Sequence, residues 1–397
     1  MADTNQTTPS RVTSRHPYPL MRVGIIGGGQ LAKMLALEAS KLGFSIAVLD
    51  PAPDAPAGRL AERQVTGGYF DAAKLQELVE GCQVTTYDIE HIDASEMRRL
   101  ELAGHTIHPS PGILEIIQDK LHQKLVFEQA GLPVPRFARM DKPDLALMET
   151  FGFPLVQKAR RGGYDGKGVF VLRNAEEAKQ AFAGESMLES MVEIDKELAV
   201  MVACGAGGEV RCYPVVEMLF DNRSNLLDLL LAPARITPEQ TARAQDLAVQ
   251  AARAFEGLRG VFGVEMFLTK SGEILINEVA PRPHNSGHYT IEACVTSQYE
   301  QHLRAISGLP LGSTELLVPA VMINLLGAPN ANGRPCIVGL DEAMAIEGAT
   351  IHIYGKEQVR PMRKMGHAVI VDQDVERALA KAEKLKAVLK IIGSEDV

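Results

Sequence analysis

The chain lacks any long apolar run. Apolar stretches such as Val318 to Ile323 and Leu226 to Ala232 are short or interrupted, by Pro319 and Asp228, far below the roughly 18 to 20 residues a membrane-spanning helix needs. It also lacks a cysteine pattern. Cys82, Cys204, Cys212, Cys294 and Cys336 form no C-x-x-C pair, and an odd number in 397 residues does not read as a disulfide framework, which fits a reducing cytoplasm. Positive charge is in the minority. With 41 Lys and Arg against 50 Asp and Glu the net charge is −9, so the surface as a whole repels nucleic acid and anionic membranes, and a polyanionic ligand must find a local basic pocket. Residues 1–20 lack the apolar segment of a signal peptide and are expected to be a disordered lead. No internal repeat or low-complexity stretch follows.

What remains is ordinary globular composition, 46% apolar and 23% charged, enough for two or three domains. Arg22 to Ile26 reads as a strand entering the turn Gly27-Gly28-Gly29 and then a helix through Leu31, Met34 and Leu35. Strands at Ser45 to Leu49 and Val84 to Tyr87 continue a βαβαβ pattern, hence a doubly wound parallel sheet over 21–118, with ligands at the carboxyl ends of its strands. The spacing of Ile113, Ile117, Leu121 and Leu125 predicts one helix past Lys120 to Gly131, and a boundary follows. Leu155 to Ala159 and Val169 to Leu172 read as a hairpin in a small lid over 119–190, and Gly263 to Thr269 with Glu273 to Val279 as a second hairpin in a larger part, 191–320. An α+β tail over 321–397 ends in a helix from Val375 to Ile391.

Five stretches carry chemistry. The glycine turn, with Asp50 downstream, offers backbone N–H groups at a helix N-terminus that suit a phosphate, whether of a dinucleotide or of a sugar phosphate. The loop Gly162 to Gly168 holds four glycines around Tyr164, Asp165 and Lys167; Arg161 and Gly168 stand where a Walker A loop needs Gly and Ser or Thr, so a mobile lid over a nucleotide is the better reading. In the second hairpin a two-residue turn at Ser271-Gly272 sets Glu265 opposite Glu278. Like charges so placed, with Cβ atoms about 5 Å apart, destabilise a sheet unless something positive lies between them. With Asn277 beside them, these hard oxygens point to Mg²⁺ carrying nucleotide phosphates. The segment Ala280-Pro281-Arg282-Pro283-His284-Asn285-Ser286-Gly287-His288 stiffens Arg, His and Asn into an anion site. Finally Lys356 to Lys364 gathers four positive charges against one negative, a candidate phosphate clamp or a solvated face.

In these stretches, together with Gln30-Leu31 and Thr86 to Glu90, the sequence resembles the ATP-grasp superfamily and, within it, the carboxyaminoimidazole ribonucleotide synthetase family of purine biosynthesis. The resemblance runs from Met21 onward. It implies an ATP-grasp fold and an ATP-dependent ligase that carboxylates the exocyclic amine of 5-aminoimidazole ribonucleotide with bicarbonate, through carboxyphosphate, in a cytoplasmic homodimer. It further implies that Lys120 and Lys158 hold ATP phosphates, with Gly163, Tyr164, Gly166 and Asn277 also at the nucleotide. Glu189 would lie at the adenine hinge and Glu197 at the ribose, while Glu265 and Glu278 would hold the metal. Arg282, His284, Asn285 and Lys167 would serve catalysis and bicarbonate. Gln30, Leu31, Glu90, Asp165, Lys356, Arg360 and Arg363 would bind the ribonucleotide. Ala32-Lys33 and Asp88 depart from the usual Gly-Arg and Glu of that family. A formate-dependent glycinamide ribonucleotide transformylase, another ATP-grasp carboxylase, an NAD-dependent oxidoreductase and a non-catalytic nucleotide-binding regulator are the alternatives.

Overall fold

The computed structural model describes residues 16–163, 168–221 and 226–394. Its first layer is a parallel sheet in the order Arg63–Thr66, Ser45–Asp50, Arg22–Ile26, Val84–Tyr87. Helices cover it, so Val23, Ile25, Ile26, Val48 and Leu49 are wholly buried, as continuous apolar runs in parallel strands require. The strand Arg63–Thr66 was not foreseen. It is a short edge strand whose one buried residue is Val65, too little periodicity to read.

A small antiparallel sheet in the order Phe137–Met140, Ser186–Ser190, Leu155–Ala159, Val169–Leu172 packs on its own core of Met140, Met148, Phe151, Leu155, Leu172 and Leu188. The remaining body is one antiparallel sheet, of nine strands among the described residues. It runs Ile274–Ala280, Gly260–Thr269, Ile194–Cys204, Val216–Phe220, Leu227–Ala232, Ala320–Leu326, Lys364–Val371, Ala349–Ile353, with Val210–Cys212 also on Ile194–Cys204. Helix Pro238–Arg253 covers one face, started by Thr237 and Gln240 bonding reciprocally and by Pro238 in the first turn. The boundary expected at 320/321 lies at the start of strand Ala320–Leu326, which pairs Leu231 with Val321.

Two local expectations are corrected. The helix expected through Ile113 to Gly131 is two, Pro111–Ile117 and Lys120–Gln129. The break is Asp119, fully buried, whose carboxylate caps the second helix at Leu121 N (3.0 Å) and accepts Arg160 Nε (3.1 Å). The last helix stops at Val388, and Lys390–Gly393 instead forms a strand on Pro335–Val338. Ile391 is buried there.

Candidate active site

The second hairpin sets Glu265 directly opposite Glu278, but not for the reason the turn suggested. The loop is one residue longer: Thr269 N bonds Glu273 O (2.8 Å) across Lys270, Ser271 and Gly272, with Gly272 in the left-handed region at φ 87°. Alone this would slip the pairing by one. A bulge at Asn277 restores it, since Met266 pairs with Ile276 while Glu265 pairs with Glu278. The bulge also lets consecutive residues serve one side. Asn277 Oδ1 accepts Lys158 Nζ (3.1 Å), and Glu278 pairs with Lys120.

The positive group that two opposed glutamates demand is therefore Lys120, placed at the first turn of Lys120–Gln129 by the Asp119 cap. Lys120 holds Glu278 well below the usual carboxylate range, whereas burial, with Glu278 and Glu197, pushes Glu265 well above it. Glu197, on the neighbouring strand Ile194–Cys204, is pushed up to about 7 by burial. Glu189, at the end of the lid strand Ser186–Ser190, is ion-paired to Lys158 and to Lys124 (2.9 Å). Burial works to raise Glu189, yet the two ammonium groups hold it below its ordinary value. Among the described residues no three His, Cys, Asp or Glu side chains form a cage for a metal ion. Two facing carboxylates fit Mg²⁺, which binds through one or two carboxylates and leaves its other positions to phosphates and water.

Next to the hairpin, Arg282 pairs with Glu90 (3.0 Å) from the parallel-sheet domain. His284 Nε2 lies 3.5 Å from Glu265 Oε1, and its Nδ1 meets Ser286 Oγ at 2.9 Å. Burial, then Arg282, pushes the imidazole down to about 3, so it is neutral. Gln298 fixes the loop with two bonds, His284 N to its Oε1 (2.9 Å) and its Nε2 to His284 O (2.7 Å). Arg282 Nε and both polar atoms of the Asn285 amide are buried without a partner among the described residues. Unpaired buried polar groups are costly, and three together beside a neutral histidine suit a small anion with donors and acceptors of its own.

The glycine turn is occupied by this chain's own carboxylates. Asp50 accepts Gly28 N (2.8 Å), Ala52 N and the Tyr69 hydroxyl (2.7 Å), and Asp88 accepts Ala32 N (3.1 Å). A Cβ on Gly27, at φ 98°, would stand 1.7 Å from Asp88 Oδ1. These N–H groups are not available to a phosphate, which removes the basis for a dinucleotide at this turn. Burial pushes Asp88 up to about 6.

Gln30 is half-buried at the start of helix Gln30–Leu42, but the Leu31 side chain belongs to the core. Lys356 donates to Lys364 O (2.8 Å) and feels Asp88, while burial, Arg363 and Lys364 lower it to about 8. Arg363 donates to Gln358 O, and Arg360 is exposed. Gly163 is half-buried; Tyr164, Asp165, Gly166 and Lys167 lie outside the described residues. The sequence reading missed Lys124, and it gave Lys364 only as part of the basic run. Lys124 is buried, donating to Ile276 O (3.1 Å); the signal was a lysine on the apolar face that includes Leu121 and Phe127. Lys364 acts electrostatically on Glu265 and His284.

Three family profiles match: a ribonucleotide synthetase preATP-grasp domain over 20–118, an ATP-grasp domain over 125–299 and a phosphoribosylaminoimidazole carboxylase C-terminal domain over 320–381. The chain is 40% identical over 363 residues to the N5-carboxyaminoimidazole ribonucleotide synthase of Bacillus subtilis, covering 90% of this chain and 93% of that one. It is 39% identical to the chloroplastic phosphoribosylaminoimidazole carboxylase of Vigna aconitifolia, covering 88% of this chain but only 64% of that longer protein. The crystal structure of N5-carboxyaminoimidazole ribonucleotide synthetase from Thermotoga maritima superposes with a TM-score of 0.88 at 54% identity, covering 94% of this chain and all of that one. The Aspergillus clavatus synthase in complex with ADP and 5-aminoimidazole ribonucleotide superposes at 0.84 with 33% identity, covering 92% and 98%.

Proposed function

The chain belongs to the carboxyaminoimidazole ribonucleotide synthetase family of ATP-grasp proteins, and from that membership we propose that it is an ATP-dependent ligase of purine biosynthesis. It uses bicarbonate and ATP to carboxylate the exocyclic amine of 5-aminoimidazole ribonucleotide. The observation that carries the reading is the junction of the Glu265–Glu278 pair with a loop holding three unpaired buried polar atoms on Arg282 and Asn285. Phosphate handling and bicarbonate handling meet there.

Glu265 and Glu278, with Asn277 beside them, would hold Mg²⁺, which when bound stabilises charge on the phosphoryl oxygens. Lys120 and Lys158 bind the phosphates, which must compete with Glu278 and Glu189 for them. Glu189 and Glu197 line the adenosine side. Neutral His284 and the Asn285 amide orient bicarbonate by hydrogen bonds, and Arg282, tied to Glu90, adds the fixed charge. Gln30, Glu90, Lys356, Arg360 and Arg363 take the ribonucleotide, with guanidinium forks suited to its phosphate. A homodimer in the cytoplasm belongs to the same proposal; among the described residues no helix is long and apolar enough to cross a membrane.

The test is ADP release with 5-aminoimidazole ribonucleotide, supplying bicarbonate or formate in turn. Dependence on bicarbonate and Mg²⁺ is expected. Dependence on formate would overturn the reading.

A further inference from the structure

Behind the proposed ribonucleotide side lies a buried aromatic cluster to which no role has been given. Tyr354 is completely buried. Its hydroxyl lies 3.0 Å from His367 Nδ1 and 3.4 Å from His288 Nε2, and His288 Nδ1 is 2.6 Å from the Tyr299 hydroxyl. The rings of His288 and His367 stack at 4.1 Å and 7°, and His352 stacks on His367 at 4.4 Å, with its Nε2 2.7 Å from Glu292 Oε1. Burial keeps His288 and His367 neutral, so each has one N–H. A single phenol can donate to His367 Nδ1 and accept from His288 Nε2, while His367 Nε2 is left without a partner among the described residues.

The same residue is held from its other end. Lys33 Nζ donates to Ile353 O (2.7 Å) and Tyr354 O (3.1 Å), and Lys356 Nζ stands over the Tyr354 ring, 5.5 Å from its centre. His288 closes the turn Asn285–Gly287 of the anion loop, its N bonded to Asn285 O at 3.2 Å. Two residues after Tyr354 the chain reaches Lys356. One side chain thus touches both the loop assigned to bicarbonate and the arm assigned to the ribonucleotide.

We propose that Tyr354 is a positioning residue that fixes the anion loop, through His288, and the basic arm bearing Lys356 relative to one another, with Lys33 as the clip that holds its backbone. It touches neither ligand. Its effect is to keep two binding groups from different parts of the chain at one spacing, and it changes no charge in doing so.

The inference rests on the functional reading above, and the experiment separates the two. ADP and 5-aminoimidazole ribonucleotide are titrated separately into the full chain by calorimetry, and the bicarbonate KM is measured, for wild type, Tyr354→Phe, Lys33→Met and Lys33→Arg. Networks of this kind carry effects of about 3- to 30-fold. Tyr354→Phe is expected to weaken the ribonucleotide and to raise the bicarbonate KM by that range, with ADP affinity kept within about two-fold. Lys33→Met is expected to weaken the ribonucleotide alone, and Lys33→Arg, which can donate to both carbonyls, to restore it. Should Tyr354→Phe fail to fold, the Lys33 pair, at a half-buried surface position, carries the test. Ribonucleotide affinity unchanged in both variants, or an equal loss for ADP, overturns the proposal. A wild type that does not bind the ribonucleotide sinks the functional reading and this inference with it.

Discussion

Lys120 and Glu278 show how a single ion pair changes what a substitution does. Opposed glutamates suggest that Glu278→Gln should relieve repulsion and stabilise the ligand-free protein. The pair argues otherwise, because Glu265 is pushed upward and carries less than a full charge near neutrality, while Lys120 would lose its partner. Glu278→Gln is therefore expected to lower the unfolding free energy slightly, by about 1 kcal/mol or less for a partly exposed pair, and with it the melting temperature, and to remove most ATP turnover. Calorimetry of the ligand-free variant decides the first, and turnover at saturating Mg²⁺ the second. Glu197 gives a pH signature. Its folded pKa of about 7 lies above the unfolded value of 4.5, so the folded state binds the extra proton between them and its contribution to stability is lost as pH rises through that window. The buried neutral histidines push the opposite way below their ordinary value, so the signature is a difference: from pH 5 to pH 7.5 the melting temperature of ligand-free Glu197→Gln should gain on that of the wild type.

Among the elements, the hairpin shows what was legible and what was not. The glutamate pair could be read from spacing, yet through two compensating differences, a longer loop and a bulge. A hint of the bulge is in the sequence: Ile274 and Ile276 alternate with Leu275, and then Asn277 and Glu278 come as consecutive polar residues before Val279. Deleting Asn277 should keep Glu265 opposite Glu278 but remove one of the two partners of Lys158, leaving it Glu189. ADP affinity is then expected to fall by about 10- to 100-fold, the scale of a charge-assisted hydrogen bond, while deletion of Ser271 in the loop leaves it nearly unchanged. Binding titrations of the two deletions give the comparison. The parallel sheet was legible because its strands are continuous apolar runs between helical repeats. The helix break at Asp119 was not, since an apolar spacing of four continues across it and the carboxylate that caps the second helix is buried only because Arg160, from a distant segment, pairs with it. Of the site, the hairpin and the anion loop were legible from residue type; Lys124 and Gln298 were not, because their roles arise from contacts between separate segments.

Across the whole molecule, the large sheet joins segments that the sequence keeps far apart, with Ile194–Cys204 on Gly260–Thr269 and Leu227–Ala232 on Ala320–Leu326. The order of strands cannot be read from periodicity, which tells that a strand exists and not which neighbour it takes. A chain ended after residue 319 leaves Leu227–Ala232, with its buried Leu229, Leu230 and Leu231, as an open edge. Such a truncation is expected to be recovered mainly in the insoluble fraction, as fractionation after expression would show.

The same pairing has a consequence in time. On the ribosome the parallel sheet of residues 22–87 can close early, whereas the strand Leu227–Ala232 must wait about 90 residues, some 5 to 20 seconds at ordinary elongation rates, for Ala320–Leu326 to emerge. During that interval the nascent chain carries an apolar strand with one edge open, and chaperone demand should peak while residues 233 to 319 are being made.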